Sequence, residues 1–215
     1  MDDLFNLLQH DYLEAMHQGS GRRADQVIDR ALSLKVTANE IYLHIFQNTA
    51  YEIGRLWQRN RFSVAQEHLA TAIIERQMGD LHPYFKPVQE RKSKIVLGTV
   101  DNEQHRVGLR MVADFFEQDG WDVYYLGATV PTDTFISIAR EFQADLIGIS
   151  AQMVYHLPAV LEFVKEINRQ GLGGIPIIAG GYPFVQNPTL YQNLGVHFGG
   201  TNATEALKFA NALIL

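Results

Sequence analysis

The apolar residues of this chain change their spacing once, near residue 86. Up to about Phe85 they recur at the three- and four-residue intervals of amphipathic helices. Beyond that point short apolar runs alternate with amphipathic stretches, which is the pattern of strands that alternate with helices. The sequence therefore predicts two domains of different class.

The first region predicts four helices. Apolar stripes mark the first two, on Leu4, Leu7, Leu8 and Tyr12 and on Val27, Ile28, Ala31, Leu32 and Leu34. A third helix runs from about Ala38 to Trp57, and Ser63 followed by Gln66 is a capping box that opens a fourth, which ends near Leu81. Helices joined by short loops favour an antiparallel four-helix bundle over residues 1–85.

The second region predicts a parallel sheet. Residues 86–93 are polar, contain Pro87 and lack an apolar period, which indicates a linker. Strands are predicted at 95–100, 123–126, 146–149, 175–179 and 196–198, and helices near 105–118, 132–142, 155–169, 185–193 and 202–213. This alternation predicts a doubly wound, flavodoxin- or Rossmann-like sheet of five strands over residues 94–215, with ligands at the carboxyl ends of the strands.

Composition narrows the function. A formal charge of −6 argues against nucleic-acid binding, which rests on Lys and Arg. The chain has no cysteine, and we see no signal peptide and no apolar run of bilayer length, so we expect a cytoplasmic protein without membrane contact. No catalytic triad order, acid pair or phosphate loop stands out, and we therefore expect that the chain is not an enzyme.

The loop after the first predicted strand carries one histidine. His105 follows Glu103 by two residues, and the loop lacks the Gly-x-Gly of dinucleotide binders. A metal-bound histidine usually donates its other ring N–H to a carboxylate or carbonyl, and Glu103 is placed to accept it. On spacing alone, a loop histidine that caps the next helix is the simpler interpretation.

Glu103-x-His105-x-x-Gly108 resembles the Asp-x-His-x-x-Gly motif of cobalamin-binding domains in methionine synthase, corrinoid methyl carriers and acyl-CoA mutases. The resemblance implies that His105 replaces the dimethylbenzimidazole as the lower axial ligand of cobalt. It also implies that the displaced nucleotide tail threads into the sheet domain. Glu103 departs from the family's Asp by one methylene and keeps the charge.

Two further positions resemble the same family. Ser150 stands where the family has the Ser of Ser-x-Leu, with Gln152 in place of Leu, and Gly180-Gly181 resembles its Gly-Gly pair. Taken separately, such a Ser is usually a helix cap and such a Gly pair a turn. The cobalamin contacts that the resemblance implies in this domain are Asn102, Glu103, Gln104, His105, Arg106, Val107, Gly108, Ser150, Gln152, Val154, Gly180, Gly181, Gly199, Gly200 and Thr201.

Trp57, Glu67 and His68 form a second set in the helical region. His68 shares an apolar stripe with Val64 and Ala72. Without the resemblance, the simpler interpretation is that Trp57 and His68 are core residues. Glu67 would then interact favourably with the dipole at the start of its helix. Their spacing resembles the cap of CarH-type adenosylcobalamin photoreceptors. There the Trp and Glu pack around the 5′-deoxyadenosyl group, and the His ligates cobalt from above once light removes that group.

These resemblances predict a light-sensing regulatory protein that binds adenosylcobalamin, with methyl- and hydroxocobalamin as alternatives. This sequence contains no segment like the DNA-binding domain of CarH-type proteins, so we expect either a fragment of a longer protein or a shorter relative. For the latter we expect a homo-oligomer that signals through a partner such as a transcription regulator. The main alternative is a corrinoid methyl-carrier subunit of a methyltransferase system. A mutase subunit and a cobalamin-free signalling domain are the remaining alternatives.

Overall fold

The structure is a computed structural model that describes residues 2–87, 93–187 and 189–214. The region before residue 86 is helical, as its apolar periodicity predicts. The chain divides into two units, residues 1–85 and 86–215. The first unit holds α1 (Asp2–His17), α2 (Gly21–Ser33), α3 (Ala38–Glu40), a π-helical segment (Ile41–Phe46), α4 (Gln47–Gln58), α5 (Val64–Leu81) and a 3-10 turn (His82–Tyr84). Residues 88–92 of the predicted linker lie outside the described residues.

Two helix starts in this unit are fixed by reciprocal side-chain caps. At α5 the Ser63 N–H donates to Gln66 Oε1 at 2.9 Å, and the Gln66 N–H donates to Ser63 Oγ at 3.2 Å, as the sequence predicts. Thr37 and Glu40 form a second box at α3, which the sequence analysis missed. Each box satisfies backbone N–H groups that the first turn of a helix leaves without partners.

A π-helical turn interrupts the predicted third helix. Ile41–Phe46 runs without a break from α3 into α4, so the helical stretch still spans residues 38–58. Tyr42 is fully buried and donates its hydroxyl to the Met78 carbonyl oxygen at 3.2 Å. A π turn closes i→i+5 hydrogen bonds and is rare, and apolar spacing does not distinguish it from an α turn.

Polar groups cross the core of the helical unit. The fully buried Tyr12 donates its hydroxyl to Gln77 Oε1, and Gln77 Nε2 donates to Asp25 Oδ1 at 2.9 Å. Burial raises the pKa of the Tyr12 hydroxyl well above its usual value, which keeps it protonated as the donor. The predicted stripe on α1 is wrong at Leu7, which is 45% exposed because it lies off the face that carries Leu8 and Tyr12.

The second unit contains a parallel sheet in the order β2-β1-β3-β4-β5. Its strands are β1 (Lys94–Thr99), β2 (Asp122–Gly127), β3 (Leu146–Ser150), β4 (Ile177–Gly180) and β5 (Phe198–Gly199). β2 lies on one side of β1, and the chain then crosses over so that β3 lies on the other side of β1. The carboxyl ends of β1 and β3 therefore meet at the point where the strand order reverses, which is where such sheets bind ligands. The predicted fold class is confirmed.

Helices cover both faces of this sheet and explain its apolar strands. They are α6 (Val107–Gln118), α7 (Thr132–Phe142), α8 (Leu157–Arg169), α9 (Tyr182–Gln186), α10 (Leu190–Leu194) and α11 (Ala203–Ile214). Every residue of β3 is buried, as a central strand between two helical layers requires. The helix predicted at 185–193 is instead two short ones, because Asn187 is extended between α9 and α10. None of the helices described here has the length and apolarity that a membrane crossing needs.

Candidate functional site

The loop after β1 is tied to the strands on either side of it. The Val100 N–H donates to the Ser150 carbonyl oxygen at 3.1 Å, which continues the pairing of β1 with β3. Thr99 Oγ1 donates to the Glu103 carbonyl oxygen at 2.7 Å and accepts from the Thr129 N–H at 3.0 Å. One threonine hydroxyl thus joins the loop after β1 to the loop after β2 and fixes where the loop begins.

A left-handed residue turns this loop inward. Asn102 has φ 61°, a conformation that Asn tolerates better than most residues. The turn sends Glu103 into the interior, where it is fully buried, and leaves its neighbours outside. Of the other predicted residues in the loop, Val107 is half-buried and Asn102, Gln104, Arg106 and Gly108 are exposed.

The Glu103 carboxylate is the centre of the site. Its Oε1 accepts from the His105 backbone N–H at 2.9 Å and from His105 Nδ1 at 2.6 Å. Its Oε2 accepts from the Gln152 backbone N–H and from His156 Nδ1, each at 2.7 Å. A buried carboxylate with four donors is fully satisfied without a cation at hand.

These contacts also set the charge of Glu103. Burial alone raises the pKa of a carboxyl, but the hydrogen bonds from His105, His156 and Gln152 outweigh it and lower the pKa of Glu103 to about 2. The group is therefore ionised at neutral pH and acts only as an acceptor. Both imidazoles must in turn carry a proton on Nδ1.

The predicted histidine–carboxylate pair is present, and its geometry orients His105. The ring is held through Nδ1 while 49% of its side chain stays exposed at the edge of the sheet. With the proton on Nδ1, the lone pair of the neutral imidazole lies on Nε2, which is the nitrogen suited to bind a metal. His105 precedes the N-cap residue of α6, Arg106, and its ring Nδ1 is engaged with Glu103.

His156 contacts Glu103 in this site and was missed by the sequence analysis. It lies in the loop after β3, at the end of a 3-10 turn (Val154–His156), and only 11% of its side chain is exposed. The only sequence signal was its place in a loop that parallel topology brings to the same edge as His105. No motif spacing pointed to it.

Ser150 and Gln152 lie at the end of β3 as predicted. Ser150 is buried at the strand end. Gln152, which replaces the Leu of the family's Ser-x-Leu, has its side-chain amide engaged with the protein, because its Oε1 accepts from the Tyr182 N–H at 3.2 Å. Gln152 therefore links Glu103 to the start of α9.

The two glycines after β4 have different structural roles. Gly181 has φ 118°, and a Cβ at this position would lie 2.0 Å from the Ala151 carbonyl oxygen, so the backbone itself requires glycine. At Gly180 an added Cβ would meet no atom within 4 Å, and the same is true of Gly108. Open space that a side chain would fill lies beside Gly180 and Gly108, which is where a ligand has room to approach.

The weaker candidates after β5 are used by the fold. Gly199 and Gly200 are buried, and an added Cβ would approach aromatic rings of Phe184 and Phe198 at 2.9 and 3.0 Å. Thr201 donates its hydroxyl to Glu205 Oε2 at 2.6 Å next to the start of α11. Val154, also predicted to contact the ligand, is 68% exposed.

The predicted set in the helical unit is exposed rather than packed. Trp57 lies in the last turn of α4 and is 38% exposed, and His68 near the start of α5 has 73% of its side chain exposed. The stripe that His68 shares with Val64 and Ala72 is not buried, because all three residues are exposed. The interpretation of His68 as a core residue is therefore wrong. Glu67 accepts from Thr71 Oγ1 at 2.9 Å and lies 3.6 Å from His68 Nε2.

The residues of the sheet unit fit a corrinoid. Of the two imidazoles that Glu103 orients, that of His105 is the more exposed and offers one nitrogen to a metal. Among the described residues His105 belongs to no cluster of three metal-binding side chains. The open space beside Gly108 and Gly180 gives a bulky group access to the backbone. The site is therefore suited to a large cofactor that the protein holds through one axial nitrogen.

A model described as the B12 binding domain matches residues 93–208, and another with the same description matches residues 8–81. Dimethylamine corrinoid protein 3 of Methanosarcina mazei is 32% identical over 76% of this chain and 98% of its own length. Dimethylamine corrinoid protein 3 of Methanosarcina acetivorans is 25% identical over 100% of both chains. The structure of the Methanosarcina barkeri monomethylamine corrinoid protein covers 97% of this chain and 99% of its own at 17% identity, with a TM-score of 0.87, which shows the shared fold.

These relatives correct one prediction and confirm another. The predicted light-sensing, signalling and transcription-regulating role is wrong, because relatives that align over 76% and 100% of this chain are dimethylamine corrinoid proteins. Cobalamin as the cofactor is confirmed. Since the first model alone covers more than half of its residues, the chain belongs to the B12 binding domain family.

Proposed function

We propose that this chain is the corrinoid-carrying subunit of a methyltransferase system and carries a methyl group between partner enzymes. The observation that carries the proposal is the imidazole of His105, held by the buried Glu103 at the switch point of the sheet. One relative that aligns over the full chain is a dimethylamine corrinoid protein, which favours the methyl carrier over the other functions considered.

His105 is the lower axial ligand in this proposal. Glu103 accepts from Nδ1 at 2.6 Å and so presents Nε2 with its lone pair as the metal-binding nitrogen. The negative charge behind the ring raises its basicity and stabilises its orientation. When bound, the corrinoid supplies a cobalt centre that accepts and gives up a methyl group.

Ser150, Gly108 and Gly180 are the proposed contacts of the nucleotide tail. Ser150 brings a hydroxyl to the end of β3, and the space beside the two glycines is open to a Cβ-sized group. Absent side chains let a ligand reach the backbone N–H and C=O groups there. Gly181 is required by its own backbone, and side chains at Gly199 and Gly200 would press on aromatic rings of the fold, so these three glycines are not proposed as tail contacts.

The proposed partners are methyltransferases. A carrier leaves the making and breaking of methyl bonds to the enzymes that load and unload it, so the chain is not an enzyme by itself. A transcription regulator as partner and light-dependent oligomers rested on the photoreceptor resemblance and are not part of this proposal. The cytoplasmic location expected from the composition stays a prediction.

Trp57, Glu67 and His68 stay proposed cofactor contacts. The exposure of Trp57 and His68 favours a surface that meets a ligand over a role in core packing. An indole is a flat apolar surface suited to a corrin ring or its substituents. His68 as an upper cobalt ligand stays a prediction that nothing in the structure tests.

The test is cofactor binding followed by methyl transfer. The purified chain, uniformly labelled with nitrogen-15, is incubated with hydroxocobalamin, desalted, and compared with labelled His105→Ala by absorption and by EPR after reduction to the Co(II) state. A labelled protein nitrogen on cobalt splits the signal into doublets, whereas the unlabelled dimethylbenzimidazole nitrogen of the cofactor gives triplets. We expect wild type to show the splitting of one axial nitrogen, and His105→Ala to lose it and to bind at least about 10-fold more weakly.

The loaded wild type is then methylated and mixed with a thiol and a corrinoid-dependent thiol methyltransferase of a methylamine-using archaeon. Methyl loss that requires the enzyme supports the carrier role. A colourless wild-type protein, or a colour and EPR spectrum unchanged by His105→Ala, contradicts the proposal.

A further inference from the structure

We infer that Gln152 makes corrinoid binding depend on the nucleotide tail, because its side-chain Nε2 donates a hydrogen bond to an acceptor on that tail. The inference rests on the proposed function and deepens it, since the family's Ser-x-Leu has an apolar side chain at this position and no donor. It begins from one juxtaposition, the side-chain amide of Gln152 and the open space beside Gly180.

The amide of Gln152 is oriented by the protein. Its backbone N–H donates to Glu103 Oε2 at 2.7 Å, and its side-chain Oε1 accepts from the Tyr182 N–H at 3.2 Å. A backbone N–H requires an acceptor, so the oxygen of the amide faces Tyr182 and the nitrogen takes the other position. The direction of the donor is therefore set before a ligand binds.

The Nε2 of Gln152 is available to a ligand. Within the part of the chain that the structure describes it has no hydrogen-bond partner, and the atom is not buried. The residue as a whole is half-buried, which restricts its side chain more than that of a surface glutamine. A donor that is already restricted loses less conformational entropy when it binds.

Strand pairing brings this donor to the open space. Ser150 is paired with Gly180, so the space where a Gly180 Cβ would lie is on the same face of the sheet as the Ser150 side chain. The Ala151 N–H continues this pairing by donating to the Gly180 carbonyl oxygen at 3.0 Å. The contact with the Tyr182 N–H holds the Gln152 amide two residues beyond Gly180. All these groups lie where β3 and β4 end.

The tail offers what this donor needs. A nucleotide carries acceptors on its phosphate, its ribose and its base, and a side-chain amide N–H can donate to any of them. Leu at the same position offers apolar contact alone. Gln152 therefore adds a hydrogen bond that exists only when the corrinoid has a tail, and its loss should weaken the binding of tailed corrinoids alone.

The test compares the side chain with and without the tail. Wild type, Gln152→Leu and Gln152→Glu are titrated at neutral pH with hydroxocobalamin and with cobinamide, which has the same ring and cobalt but no nucleotide. Leu removes the whole amide, whereas Glu keeps an oxygen for the Tyr182 N–H and replaces only the donor. Gln192→Leu makes the same change at an exposed position of α10 and is the matched control.

We expect both Gln152 variants to bind hydroxocobalamin about 5-fold more weakly and to change cobinamide binding by less than about 2-fold, which is the loss of one hydrogen bond. Gln192→Leu should change neither affinity. Thermal unfolding of the cofactor-free variants shows whether each is folded.

Two results overturn the inference while the proposed function stands. One is a folded Gln152→Leu in which the ratio of the two affinities is that of wild type, and the other is a Gln152→Glu that binds hydroxocobalamin like wild type. Wild type that binds neither corrinoid overturns the inference and the proposed function together.

A third corrinoid locates the acceptor. An adenine-tailed cobamide shares the phosphate and ribose of hydroxocobalamin and differs in its base. If Gln152→Leu loses the same factor with both, the acceptor is on the phosphate or the ribose, and unequal factors place it on the base. Either result supports the inference.

Discussion

The two units of this chain differ in how well the sequence predicted the surroundings of their candidate site residues. In the sheet unit, residues predicted from separate strands meet at one edge, because parallel strands and right-handed crossovers bring the loops after β1 and β3 together. In the helical unit, Trp57 and His68 lie on the predicted helices but on exposed surfaces. Strand order fixes where side chains gather, whereas helical spacing fixes only which residues share a face.

The sharpest way to test the sheet unit is to compare its two adjacent glycines. Gly181→Ala places a Cβ against the Ala151 carbonyl in a left-handed conformation, and we expect a loss of about 4 kcal/mol in the free energy of unfolding from strain and overpacking. Gly180→Ala enters open space and should change stability by less than about 1 kcal/mol. Urea unfolding measures both.

Cobalamin titration completes this comparison. Gly180→Ala should weaken binding if the space beside it holds the nucleotide tail. Equal stability of the two variants would show that Gly181 is not required by the backbone.

Acid should remove the stabilisation that Glu103 provides. Its pKa is lowered to about 2 in the folded protein from a usual value of 4.5, so the ionised form is stabilised by folding. The contribution is complete above pH 4.5 and is lost as pH falls toward 2. The shift corresponds to at most about 3 kcal/mol at neutral pH.

Urea unfolding of the cofactor-free wild type and Glu103→Gln between pH 7 and pH 2 measures this contribution. The difference in free energy should be constant at the upper end and shrink in the acid range. If the difference in free energy of unfolding between the two proteins does not depend on pH, ionisation of Glu103 is not its cause.

Within the helical unit, the largest loss of stability is expected where the hydrogen bonds between Tyr12, Gln77 and Asp25 are broken. Gln77→Leu leaves the buried hydroxyl of Tyr12 without its acceptor, which costs about 2 kcal/mol. Tyr12→Phe in the same background should restore part of that loss, because both polar partners are then gone. A double mutant as unstable as the sum of the single changes would show that the two groups do not act together.

The smallest stability effect is expected on the exposed surface. Trp57→Ala and His68→Ala should each change the free energy of unfolding by less than about 0.5 kcal/mol, since neither side chain is buried. If they contact the cofactor, titration with hydroxocobalamin shows weaker binding at unchanged stability. Wild-type affinity in both variants would remove these residues from the site.

Much of the sheet unit was predictable from the sequence. Apolar period predicted the strands and the ligand-binding edge at their carboxyl ends, and the loop spacing together with the resemblance to cobalamin-binding domains predicted the His105–Glu103 pair. His156 was not predictable, because its role depends on a contact over 53 residues that no local pattern records. The different roles of Gly180 and Gly181 were equally hidden, since they depend on backbone angles and on the position of Ala151.

The helical unit was predictable in its helices and not in its surfaces. The capping box at Ser63 marked the start of α5, but the stripe through His68 gave no sign of whether it is buried. The function was misread for a related reason. The spacing of Trp57, Glu67 and His68 favoured a photoreceptor, whereas the relatives described above are dimethylamine corrinoid proteins.

The π-helical segment Ile41–Phe46 has a consequence for how this bundle tolerates changes in length. Deleting one residue from an α-helix turns everything beyond it by about 100°, which would swing the Trp57 turn away from its present direction. A π turn holds one residue more than an α turn, so a deletion within 41–46 converts it to ordinary helix and leaves α4 pointing as before. Among the described helices ahead of α5, this segment is where the chain can shorten without re-aiming the helix beyond it.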